Sequence, residues 1–92
     1  MRVVWSARAV SDLQSISNYI EEATGLQSAN RISRNVYKAA QSLKSLPGRG
    51  RLGRIPDTRE LLVSNLPYRI IYRLFDERVL ILNIVHAKQQ WP

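Results

Sequence analysis

The sequence predicts an α+β fold of order β-α-α-β-β-β, with a helical hairpin packed on an antiparallel sheet. Two adjacent segments repeat apolar residues at helical spacing across a link of a few residues, which favours antiparallel neighbours. Beyond residue 58 the apolar period shortens to two, and the last two runs are separated only by Asp76 and Glu77. Ninety-two residues fit one domain.

"RVVW" (2–5) reads as a short first strand, and Ser6 suits the N-cap of the helix that follows. Ala9, Leu13, Ile16, Ile20 and Ala23 mark one face of that helix over 7–23, and Gly25 stops it. Ser28 is the cap expected for the second helix. Its stripe is Ile32, Val36, Ala39, Leu43 and Leu46, and "LPG" (46–48) ends it. "TRELLV" (58–63) reads as a strand and "SNLP" as a turn. "YRIIYRLF" (68–75) alternates, with Tyr68, Ile70, Tyr72 and Leu74 facing the helices and Arg69, Ile71 and Arg73 on the opposite, open face. "RVLILNIVH" (78–86) is nearly continuous in apolar residues, which places it inside the sheet. Trp5 and Trp91, near the chain ends, are expected to seal the sheet against the helices.

Composition narrows the function. With no cysteine and one histidine, thiolate and multi-histidine metal sites are excluded, and neither metal nor cofactor is expected. No run is long enough to span a bilayer and the N-terminus has no signal-peptide core, so a cytoplasmic protein without membrane partners is expected. Fourteen Lys and Arg oppose seven Asp and Glu, for a net charge of +7, and eleven of the fourteen are Arg. A planar guanidinium fork suits phosphate or carboxylate, so the balance points to a polyanionic partner, nucleic acid or acidic protein.

The cations concentrate in "GRGRLGRIPDTREL" (48–61), where Arg49, Arg51, Arg54 and Arg59 meet only Asp57 and Glu60. Two readings stand: a solvated connector, or the edge of a polyanion-binding surface. Arg59, Arg69 and Arg73 on neighbouring strands favour the second, and pairing with Glu60, Asp76 or Glu77 across the hairpins favours the first. The lysine and Ser/Thr of a phosphate-cradling P-loop are missing. His86, at the end of the last strand, is the one side chain whose ordinary pKa suits acid–base chemistry near neutrality. With Arg59 or Arg73 it supplies part of a ribonucleolytic set. Tyr68 and Tyr72 read as core rather than as base-stacking residues.

The pieces "W-S-x-x-A-x-x-D-L" (from Trp5), "I-x-x-Y-I" (from Ile16), "G-R-x-G-R-x-P-x-T-R-E-L" (from Gly50), "L-P-Y-x-I-x-Y-R" (from Leu66) and "V-x-I-L-x-I-x-H-x-x-Q-x-W-P" (from Val79) come in an order that resembles the RelE/ParE superfamily of toxins. The resemblance implies a bacterial type II toxin with a cognate antitoxin that wraps it and couples it to operator DNA. It also implies one of two targets, DNA gyrase (ParE-like) or the ribosome with its mRNA (RelE-like). For an mRNA endonuclease, Arg51, Arg54, Arg59, Arg73 and His86 fall at the matching positions. Two features depart from the endonuclease pattern: no tyrosine follows Tyr72, and arginines replace a lysine pair. Arginine holds phosphate but donates protons poorly. Gyrase inhibition is therefore the first expectation, mRNA cleavage the second and a non-toxic nucleic-acid-binding module the third. Arg49, Arg51, Arg54, Arg59, Arg69 and Arg73 are expected to meet target and antitoxin.

Overall fold

The computed structural model describes residues 1–89 and 91, so Pro92, where the resemblance ends, lies outside it. The elements are β1 (Arg2–Trp5), α1 (Ala7–Thr24), α2 (Leu26–Ser42), β2 (Arg51–Leu52), β3 (Thr58–Leu62), β4 (Tyr68–Leu74) and β5 (Arg78–His86). One five-stranded sheet has the order β1-β5-β4-β3-β2. The two helices cover one of its faces.

The expected fold class is observed, with refinements at three places. First, the sheet is mixed, because β1 runs parallel to β5, with Arg2 beside Arg78 and Trp5 beside Ile81. Tight turns fix β3, β4 and β5 as an antiparallel meander, but no turn links β1 to its neighbour, so its direction was open. Second, the arginine-rich segment carries a two-residue strand of its own, pairing Arg51 with Glu60 and Leu52 with Arg59. Third, α2 starts two residues before Ser28, at Leu26, and ends at Ser42, so Leu46 leaves the apolar stripe and is exposed.

Ser6 caps α1 as its residue type suggests: its Oγ accepts the Ala9 N–H at 3.0 Å and donates to the Leu82 carbonyl at 2.9 Å. Leu82 sits at a bulge, where the β4–β5 register slips between Ile71 and Tyr72. Asp12, one and a half turns further along α1, accepts the Ile84 N–H at 3.0 Å and the Asn83 amide at 3.2 Å. One motif therefore supplies both side chains that tie the helix to the bulge.

The core lies between helices and sheet: Ala9 and Ile20 of α1, Ala29, Val36, Ala40 and Leu43 of α2 and the linking turn, and Leu61, Tyr68, Ile70, Tyr72, Val79, Ile81 and Ile84 of the strands. Trp5 packs against it, with its ring stacked on Tyr37 at 6.2 Å between centroids. None of the described helices is long and apolar enough to cross a membrane.

Candidate functional site

The six arginines expected to form one surface separate into three groups. Arg69 is the clearest correction. It is buried on the sheet face expected to be open, its Nη1 bonded to Glu60 at 2.5 Å and its Nη2 to the Gln89 carbonyl at 2.7 Å. Ile71 beside it is also buried. That part of the face is closed because Glu60 demands a cation and the C-terminal segment lies against Arg69. Strand alternation alone could not foresee either.

Arg59 and Arg49 hold the loop together. Arg59 shares the helix-facing side of β3 and donates from Nη1 to the Gly50 carbonyl at 2.9 Å and the Gly48 carbonyl at 3.4 Å. Arg49 reaches back to Ser42 Oγ at 2.7 Å, beside the end of α2. Between them stands Tyr72, fully buried, whose hydroxyl donates to the Pro47 carbonyl and accepts the Gly50 N–H, both at 2.8 Å. Burial pushes the Tyr72 phenol above its ordinary pKa of 10.0, outweighing the lowering effects of the Gly50 bond and of the Arg59 and Arg49 charges. The next turn is equally defined. Asp57 takes a left-handed φ of 67°, Gly53 N–H bonds the Thr58 carbonyl at 2.8 Å, and Thr58 Oγ1 donates to the Ile55 carbonyl at 2.6 Å. Residues 47–58 thus form an ordered platform rather than a loose connector.

Arg51, Arg54 and Arg73 remain for solvent. Arg54 lies exposed at the turn. The Arg51 side chain is 77% exposed and 3.9 Å from Glu60, whose charge Arg69 already answers. The Arg73 side chain is 47% exposed and 4.0 Å from Asp57. Leu52, Asp57, Thr58, Arg59, Arg73 and Leu74 line a cleft of about 350 Å³ between β2 and β4.

Arg73 has company that the sequence reading missed. Its guanidinium carbon lies 5.1 Å from the centroid of Phe75, and that of Arg78 lies 4.9 Å from the same ring. Arg2 is the parallel partner of Arg78. The available signal was the alternation of β5: Val79 and Ile81 face the core, so Arg78 must face outward.

His86 stands apart. It pairs with Tyr68, five residues along β4 from Arg73, a separation of about 17 Å at the ordinary strand rise. Its Nδ1 accepts the Lys88 N–H at 3.1 Å and its ring meets Tyr68 edge-on at 5.8 Å. It borders a groove with Asp12, Ser15, Tyr19 and Tyr68. The set of His86 with Arg59 and Arg73 is therefore not assembled. Among the described residues no cluster of three His, Cys, Asp or Glu side chains could hold a metal.

Residues 3–91 match the family described as the ParE toxin of the type II toxin–antitoxin system parDE. The chain is 41% identical over 91 residues to a toxin homologue, Y4kP, of Sinorhizobium fredii, covering 99% of this chain and 93% of that one. It is 42% identical over 86 residues to toxin RelE2 of Caulobacter vibrioides, covering 94% of each. Among solved structures, a chain of the chromosomal ParDE system of P. aeruginosa superposes with a TM-score of 0.89 at 22% identity, over 96% of this chain and 97% of that one. The isolated E. coli RelE toxin superposes at 0.63 with 16% identity, over 97% of this chain and 86% of that one.

Proposed function

We propose that this chain, which belongs to the ParE toxin family of type II toxin–antitoxin systems, arrests growth by inhibiting DNA gyrase and is neutralised by a cognate antitoxin. The observation that carries the gyrase reading is the distance between His86 and the exposed arginines. Cleaving RNA by 2′-hydroxyl attack requires a base, an acid and a cation around one phosphate. Here His86 and Arg73 occupy opposite ends of the β4–β5 strand pair. An ordered, cationic platform remote from His86 suits binding better than turnover.

In this reading the toxin acts through affinity for one state of its target, and the outward guanidiniums of Arg51 and Arg54 on the 47–58 platform border the contact surface. Induced expression without antitoxin tests it in cells. Double-strand DNA breaks with an SOS response are expected, with intact transcripts, and Arg51→Gln/Arg54→Gln is expected to weaken the arrest while leaving the fold unchanged. Transcripts cut during the arrest would instead favour a ribosome-dependent mRNA endonuclease. That second reading draws its support from the 42% identity to a toxin named RelE2.

A further inference from the structure

We propose that Arg2, Arg78, Arg73 and Arg51 form a diagonal row on the helix-free face of the sheet that binds the phosphate backbone of duplex DNA without reading its sequence. The row follows from register. Arg2 and Arg78 are neighbours on β1 and β5; Arg73 stands opposite Leu80, two residues further along; Arg51 stands opposite Glu60, which pairs with Ile71, two residues further again. Across four strand spacings and four residues the row spans about 23 Å. Each strand of a duplex presents a charge about every 3.4 Å of its axis, so a row of this length faces several phosphates at once.

The molecule's own carboxylates come within ion-pair distance of only two of the row's four arginines. Glu60 bonds Arg69 at 2.5 Å and is 3.9 Å from Arg51. Asp57 stands 4.0 Å from Arg73 and is itself mostly exposed. No carboxylate among the described residues makes an ion pair with Arg2 or Arg78. Asp76 and Glu77 lie at the hairpin tip beside Arg2 and Arg78 and bound the row at that end.

Phe75 decides between backbone and bases. Single strands are gripped by stacking unpaired bases on exposed aromatic rings. Here the aromatic ring is partly buried, and two guanidiniums lie over it at 5.1 and 4.9 Å. The ring serves to hold Arg73 and Arg78, whose planar forks then suit phosphate oxygens. This surface does not depend on which enzyme the toxin inhibits, so failure of the gyrase reading would leave the measurement below unaffected.

The test is fluorescence anisotropy of the purified full-length chain with a short labelled duplex of arbitrary sequence, titrated across salt. Micromolar binding is expected, with a slope of log affinity against log salt of about −3.6 for four phosphate contacts. Arg73→Gln/Arg78→Gln should weaken binding about tenfold and flatten the slope by about 2, whereas Arg31→Gln/Arg34→Gln on α2 should bind like the parent. Phe75→Leu should fall between them. The inference is overturned if the duplex does not bind, if the Arg73/Arg78 variant matches the parent, if a single strand binds more tightly, or if polyglutamate displaces the duplex at equal charge.

Discussion

Glu60 and Arg69 show how one pair decides which arginines are available. Both are buried and bonded at 2.5 Å, so neither can lose its partner cheaply. Glu60→Ala leaves the guanidinium with only the Gln89 carbonyl and should cost about 3–5 kcal/mol in urea unfolding. Glu60→Gln, which keeps an acceptor, should cost less. Tyr72 makes a comparable point with a neutral group. Tyr72→Phe leaves the buried Gly50 N–H and the Pro47 carbonyl without their shared hydroxyl and should cost about 1–3 kcal/mol. The pH dependence has a definite sign. The folded-state phenol pKa is raised by burial, so its contribution is complete below the ordinary value of 10.0 and is lost as pH rises through the higher folded-state value. Stability measured on both proteins across that alkaline range should fall less steeply for Tyr72→Phe than for the parent.

Among the elements, the 47–58 platform depends on close backbone approach at two glycines, Gly50 against Tyr72 and Gly53 against Thr58. A Cβ on Gly50 would lie 2.7 Å from Tyr72 Oη and 2.9 Å from the Glu60 carbonyl, whereas one on Gly48 would meet nothing within 4 Å. Gly50→Ala should therefore destabilise by about 1–3 kcal/mol and weaken toxicity, and Gly48→Ala should do neither, as thermal unfolding beside a growth assay would show. The helices and the three-strand meander were legible because Tyr68, Ile70 and Tyr72 alternate cleanly, 78–86 is nearly continuous in apolar residues, and Ala9, Ile20 and Val36 keep helical phase. The direction of β1 was not, since no turn specifies it. The burial of Arg69 was hidden because it depends on Glu60 across one strand pair and on Gln89 from the chain's end, a convergence that no local pattern encodes. The split of the loop arginines was hidden for a related reason: Arg59 and Arg49 bond main-chain and hydroxyl oxygens, which sequence charge does not count.

For the whole molecule, a net charge of +7 is arranged rather than spread evenly. Two arginines fasten a platform, one neutralises a buried carboxylate, and Arg2, Arg51, Arg73 and Arg78 face outward from the helix-free side. His86 lies beyond their reach at the far end of β4 and β5. On the proposed function, this toxin acts by holding its target, with no chemistry at His86. A gyrase supercoiling assay, run beside a translation reaction probed for mRNA cuts, tests it most directly. The parent and His86→Ala should both inhibit supercoiling and leave mRNA whole, and Arg73→Gln/Arg78→Gln should inhibit more weakly. Cleavage of mRNA by the parent that disappears in His86→Ala, with supercoiling untouched by either, would instead make the protein a ribonuclease acting through His86.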